Sequence, residues 1–348
     1  MAGTEIFTYD DVLVHLRKNK REKHLLLGNG FSMAYDSKIF SYNALNKFIE
    51  SLDNKLLKKL FSIVHNKNFE LVMQQLDNFL EIAEMFGTDK NLIAQIKSAS
   101  DELKNSLIEA VKELHPEHVF TIPEEKSTAC FNWLNEYLLN GGQVFTTNYD
   151  LLLYWILMRN NAEHHTDGFG RDKEQKDEFV PADEAEYSEL RWGKHKDEQN
   201  IHYLHGTLPF FDTGIEIIKE EYTTEHYLLE NIKERMAKKE YPIFVTAGNG
   251  REKLMNIMHN KYLIYCYEQL CSIQGSLITF GFNFGEFDYH IIEAINKAAK
   301  YGQKIKDKLW SVYIGVFSDN DIEYIESIRN MFKCKVNLFD SKTAKVWE

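Results

Sequence analysis

Two short segments hold the residue types that acid–base chemistry needs. Thr146-Thr147-Asn148-Tyr149-Asp150 places an amide and a carboxylate two positions apart, and His205 is followed directly by Gly206. An imidazole titrates close to neutral pH, so His205 is a candidate general base acting on a hydroxyl or a water. Asn148 can donate and accept hydrogen bonds without changing charge, which suits it to hold a ligand hydroxyl or a water. Three further segments have the composition of ligand-binding turns. Gly28-Asn29-Gly30-Phe31-Ser32 follows the apolar run Leu25-Leu26-Leu27. Its glycines let the backbone approach a ligand closely, and a helix starting there would turn free N–H groups toward a phosphate. Gly248-Asn249-Gly250 and Gly281-Phe282-Asn283-Phe284-Gly285-Glu286-Phe287-Asp288 are the other two. Each segment also has a plain structural reading. Ser32, Asp150 and Asp288 are of types that cap helices, His205 could be a satisfied core histidine, and Phe31, Phe282 and Phe284 could be core aromatics.

The elements that must position these residues follow from periodicity. Apolar runs at 24–28, 143–146, 201–204, 242–246, 276–280, 310–317 and 335–339 read as strands. Helical patterns fall at 9–20, 125–139, 150–159, 223–239, 251–273, 286–299 and 319–331. The stretch 43–139 is almost wholly helical, with one apolar face at Phe69, Val72, Met73, Leu76, Phe79, Leu80 and Ile82 and another at Leu92, Ile93, Ile96, Leu103 and Leu107. Strands alternating with helices predict an α/β fold: a Rossmann-like, mostly parallel sheet with helices on both faces and a large helical insertion. Residues 1–348 form a single catalytic domain in this reading, with 43–139 as an inserted helical subdomain. The polar, charge-rich segment 161–200 is expected to be an exposed insertion without a core of its own. In open α/β sheets ligands bind at the carboxyl ends of strands, and the five motifs fall at five strand ends of one predicted sheet.

The 348 residues suffice for a sizeable core. A net charge of −12 argues against broad attachment to nucleic acid or anionic lipid while leaving room for a small basic pocket. No run approaches the roughly 20 apolar residues of a membrane span, and Met-Ala-Gly-Thr-Glu does not resemble a signal peptide, so a cytoplasmic location is expected. The four cysteines, Cys130, Cys266, Cys271 and Cys334, form no Cys-x-x-Cys pair, which argues against a zinc module. His164, His165 and His202 lack a clear ligand set, so no metal is expected.

Taken together, the motifs resemble the sirtuin-like family, and more closely the bacterial sirtuin-like NAD hydrolases of antiphage defence. Gly28-Asn29-Gly30-Phe31-Ser32 matches that family's Gly-x-Gly-x-Ser phosphate loop. Thr146 to Asp150 matches its Thr-x-Asn-x-Asp element, whose Asn is catalytic, and His205-Gly206 matches its catalytic His-Gly pair. Gly281-Phe282-Asn283-Phe284 with Asp288 is similar to its late loop. Order and spacing agree over roughly 24–300. The chain departs from the deacylases of the family in lacking two Cys-x-x-Cys pairs, in its helical insertion, and in having Asn29 where they commonly carry Ala. These departures favour plain NAD+ cleavage over deacylation.

The resemblance implies hydrolysis of NAD+ to nicotinamide and ADP-ribose, with NAD+ as substrate and no cofactor. Asn148 and His205 are the expected catalytic pair. Gly28, Asn29, Gly30, Phe31, Ser32, Thr147, Asp150, Gly281, Asn283 and Asp288 are the expected nucleotide contacts, with Asn283 and Asp288 toward the adenosine. Cytosolic NAD+ destruction is toxic, so an abortive-infection effector held inactive until it self-assembles or meets a separate sensor protein is the expected setting. The competing reading is a module that senses NAD+ or ADP-ribose without cleaving it. A dehydrogenase is disfavoured because Met33 stands where a third fingerprint glycine belongs, and a phosphate-loop NTPase because no Gly-Lys-Ser/Thr follows the glycines.

Overall fold

The computed structural model describes residues 5–37, 69–87, 89–113, 118–160, 164–171, 189–221, 227–238, 240–245, 249–300 and 307–348. Its centre is a seven-stranded sheet built from β1 (Ile6–Phe7), β2 (Lys23–Leu27), β3 (Val144–Thr146), β6 (Ile201–Tyr203), β10 (Gly275–Phe280), β11 (Leu309–Val316) and β12 (Lys335–Asp340). The strand order is β1-β12-β11-β10-β2-β3-β6, and every pairing is parallel. All five residues of β2 are buried, as a central strand covered on both faces requires. Helices cover the sheet: α1 (Tyr9–Lys18) on β12, α5 (Glu124–Leu138) on β2 and β3, α9 (Lys261–Leu270) on β6, and α11 (Asp319–Ile328) on β11. The predicted α/β, Rossmann-like class is therefore the observed one.

From β2 the chain proceeds to β3 and β6 on one side, whereas β10, β11 and β12 stack on the other. The strand order thus reverses between β2 and β10. The loops leaving two adjacent parallel strands diverge there and open a crevice. Both glycine-rich loops, 28–32 and 281–285, leave from these two strands.

A second sheet, absent from the sequence reading, has the order β4-β5-β8-β7-β9 and is antiparallel throughout. Its strands are β4 (Phe169–Gly170), β5 (Leu190–Trp192), β7 (Gly206–Asp212), β8 (Ile217–Lys219) and β9 (Pro242–Phe244). Two expectations are corrected here. The run 242–246 is not a strand of the parallel sheet, because residues 242–244 pair antiparallel with β7. The segment 161–200 is not simply an exposed insertion, because Phe169 is buried against Phe210 at a ring distance of 4.5 Å. β7, β8 and β9 are mostly apolar and buried, and β4 and β5 add Phe169, Leu190 and Trp192 to the same sheet. Pro209 lies inside β7, where a proline ordinarily argues against a strand.

Within the predicted helical insertion, α3 (Phe69–Met85) and α4 (Lys90–Glu113) pack on each other and reach the second sheet through β9 and α7 (Leu228–Ala237). Leu76 is buried, but Phe79 and Ile82 are exposed, so the predicted apolar face is only partly covered. The part of that insertion at 43–68 lies outside the described residues. So do Thr246, Gly248 and residues 172–188.

Candidate functional site

The sequence Asn29–Tyr35 forms the short helix α2 directly after β2, with Gly28 as its first cap. Gly28 and Gly30 are required by what crosses them. A Cβ on Gly28 would meet Gly281 O at 2.5 Å, and one on Gly30 would meet the Gly281 Cα at 2.5 Å. Gly281 itself has φ +67°, in the left-handed region where glycine pays little. Gly28 N–H donates to Phe280 O at 3.0 Å and Gly30 N–H to Gly281 O at 2.9 Å. These two amides stitch the β2 and β10 loops together and are not free to hold a phosphate, contrary to their expected role. Phe284 further along the loop also has positive φ (+54°), held by full burial and by Tyr324 Oη donating to its carbonyl at 2.9 Å.

A cavity of about 730 Å3 opens over this crossing, within the size of small-molecule sites. Asn29, Gly30, Thr147, Asn148, Asp150, His205, Gly281, Asn283 and Asp288 line it, so the loops after β2, β3, β6 and β10 do converge. Gly28, Phe31 and Ser32 lie behind its wall. Ser32 is fully buried, donating from Oγ to Asp150 Oδ2 at 2.7 Å and accepting from Asn148 Nδ2 at 3.0 Å. Asn148 Nδ2 also donates to Gly28 O at 3.0 Å. Both amide hydrogens of Asn148 are thereby committed, and its side-chain oxygen is the group left for a ligand. Asp150 serves both readings: Oδ2 takes the Ser32 hydroxyl, while Oδ1 accepts from Leu152 N at 2.9 Å at the start of α6 (Leu152–Arg159).

His205 sits where β6 hands over to β7, at the junction of the two sheets. Its carbonyl accepts from Val245 N at 2.7 Å, and Gly206 follows with φ +75°. A Cβ on Gly206 would lie 2.0 Å from Ile243 O, so only glycine lets β9 approach and set the ring. His205 Nε2 is 2.9 Å from Nε2 of His290, in α10 (Tyr289–Ala298). Burial, then the Lys253 charge, then His290 push the His205 pKa well below its ordinary value, against a backbone hydrogen bond at Thr147 that favours the protonated ring. The expected pKa near working pH is thus corrected: the ring is held neutral. His290 is pushed down to about 3 by burial and by Lys253.

Several residues of the site went unread in the sequence. Lys253, on α8 (Gly250–Ile257), donates from Nζ to Asp288 Oδ1 at 2.8 Å, both side chains being almost fully buried. Asp288 makes no capping hydrogen bond to α10, so its plain reading falls away. Asn249 of the Gly248-Asn249-Gly250 motif, by contrast, is a helix cap: its Oδ1 accepts from Arg251 N and Glu252 N. Its contribution to the site is indirect, since it starts the helix that carries Lys253. His290 follows Asp288 by two residues, a spacing that was a legible signal. Trp347 forms another wall, its ring tilted against Phe31 and Tyr35 at 5.0 and 5.1 Å and donating from Nε1 to Phe31 O at 3.2 Å. Lys342 and Lys345 line the cavity beside it.

His205, Asp288 and His290 also constitute a set of metal-ligand type, where the sequence led to none being expected. No helix among the described residues is long and apolar enough to cross a membrane. No curated protein matches the chain. A family model does match, over residues 25–347, which takes in both sheets from β2 onward and the cavity residues named above. The chain belongs to the family described as a domain of unknown function, DUF4917.

Proposed function

We propose that the cavity binds NAD+ and that the chain hydrolyses its N-glycosidic bond to nicotinamide and ADP-ribose. The observation that carries this reading is the convergence of Asn148 and His205 in one cavity at the point where strand order reverses. The resemblance of its loops to those of the sirtuin-like NAD hydrolases points to the same substrate. Bond cleavage builds positive charge on the ribose, so the enzyme must orient the sugar, exclude water and present one nucleophile. The Asn148 oxygen accepts from a ribose hydroxyl or from the attacking water. His205, neutral, takes the proton once its Nε2 is released from His290. Lys342 and Lys345 are the cations beside which the diphosphate lies, at the rim formed by Asn29 and Gly30, because the Gly28 and Gly30 amides are already engaged.

The second reading is a sensor that binds NAD+ or ADP-ribose without cleaving it. The capture of His205 Nε2 by His290 and the full commitment of the Asn148 amide favour it. In the hydrolase reading these contacts are the resting state of an antiphage effector, broken when the chain self-assembles or meets an activating partner.

The test is NAD+ consumption with chromatographic identification of products, run alone and with lysate from phage-infected cells. The parental chain is expected to release nicotinamide and ADP-ribose. His205→Ala and Asn148→Ala should each lose about 10²–10⁴ in rate while keeping the parental circular dichroism. Binding of NAD+ or ADP-ribose without turnover under either condition would establish the sensor instead.

A further inference from the structure

His205, Asp288 and His290 converge on one spot from two places in the chain. One nitrogen of each ring and one carboxylate oxygen lie within 4.8 Å of one another, and all three residues are buried. The two rings face each other with Nε2 2.9 Å from Nε2. Two imidazole nitrogens bound to one ion at about 2.0–2.1 Å, and at a right angle, would lie about 3 Å apart. The observed spacing is that of two adjacent ligands on one ion. Two imidazoles and a carboxylate suit first-row transition ions and match Mg2+ and Ca2+ poorly, since those take oxygen.

Ligation also conserves the protons of the two rings. His290 Nδ1 is buried and has no hydrogen-bond partner among the described residues. The contact between the two Nε2 atoms needs a proton on one of them. That proton sits on one ring or the other. An ion taking both Nε2 lone pairs sends it to the Nδ1 of that ring. Each imidazole then keeps one proton, and none leaves the protein.

We propose that His205, His290 and Asp288 form a binding site for a divalent transition-metal ion. The Lys253 ammonium, 2.8 Å from Asp288 Oδ1, opposes the ion by charge and competes for the carboxylate. Affinity is therefore held low enough for the ion to exchange. Coordination consumes the lone pair that a general base needs. In NAD+ hydrolysis the ion is accordingly an inhibitor, a consequence that rests on the proposed function, whereas the binding itself does not.

The probe is Zn2+, titrated by calorimetry and equilibrium dialysis into the full chain after chelator treatment, with Mg2+ in parallel. One Zn2+ per chain at micromolar affinity is expected, with no Mg2+ uptake. His290→Ala and Asp288→Asn should weaken binding about tenfold or more. Lys253→Met should tighten it about fivefold or more, a gain that misfolding does not mimic. Co2+ should acquire a visible spectrum with the parental chain and not with His290→Ala. Absence of Zn2+ uptake, or uptake undiminished in His290→Ala, overturns the site, and Lys253→Met binding no tighter overturns the competition. NAD+ turnover is read separately. Turnover that falls as Zn2+ fills the site supports both claims. Turnover that persists in the filled protein removes His205 as base, and no turnover with or without Zn2+, both alone and with the infected-cell lysate, removes the hydrolase reading; in both cases the binding site stands.

Discussion

Ser32 Oγ lies between Asn148 Nδ2, from which it accepts at 3.0 Å, and Asp150 Oδ2, to which it donates at 2.7 Å. No solvent reaches Ser32, so nothing replaces the hydroxyl if it is removed. Ser32→Ala should therefore cost about 1–3 kcal/mol in urea unfolding, the penalty for leaving buried polar partners unpaired. It should also lower NAD+ turnover by letting the Asn148 amide rotate. A variant as stable as the parent would mean that water enters behind the wall, and the serine would then be a filler. The same logic separates Asp288 from Asp150. Asp150 divides its two oxygens between the site and a helix start, whereas Asp288 makes no cap and spends an oxygen on Lys253.

At the scale of elements, the β2 and β10 loops touch backbone to backbone, and that contact shapes the floor of the cavity. A Cβ at Gly281 would meet Phe31 N at 2.4 Å and Gly30 Cα at 2.5 Å, both backbone atoms that cannot yield cheaply. Gly141 has a similar φ of +73° with nothing within 4 Å. Gly141→Ala should thus pay only the left-handed backbone cost of about 1 kcal/mol. Gly281→Ala pays that and must also part the two loops, so it should destabilise the chain several-fold more and abolish nucleotide binding. Chemical denaturation of both variants decides the matter. Equal losses would show that the loops separate freely and that the crossing does not shape the site.

Across the whole molecule, the parallel sheet buries two histidines far from any solvent. Burial lowers the His24 pKa from 6.5 to about 4, against a backbone hydrogen bond at Gln274, and burial with the His24 charge lowers the His202 pKa from 6.5 to about 3. In the unfolded chain both titrate near the ordinary value, so the unfolded state binds more protons between those limits. Stability from His24 is complete above pH 6.5 and is lost as the pH falls toward 4, about 3 kcal/mol in all. The urea midpoint should fall steeply between pH 7 and pH 5, and less steeply in His24→Gln. A midpoint flat over that range would show that the rings ionise inside the fold.

The α/β class, the strands β2, β3, β6, β10, β11 and β12, and the cavity residues Asn29, Gly30, Thr147, Asn148, Asp150, His205, Gly281, Asn283 and Asp288 were legible in the chain itself. Buried parallel strands are short apolar runs, and the residues after them carry glycines, amides and carboxylates that local patterning exposes to a reader. The second sheet was not legible. Its strands have two to seven residues, and although β7 and β8 form a local hairpin, β5 pairs with β8 across a long separation, so no local period marks the sheet. Nor could the sequence show which polar groups of the motifs were already spent. Gly28 N–H, Gly30 N–H and Ser32 Oγ have the types of phosphate ligands, but the β10 loop and the Asn148–Asp150 segment claim them first. His205, Lys253, Asp288 and His290 meet only because two sheets and two helices end at one place. Residue type and strand ends are local properties that the sequence determines by itself. Which donor meets which acceptor depends on contacts between distant segments, and only the tertiary structure decides it.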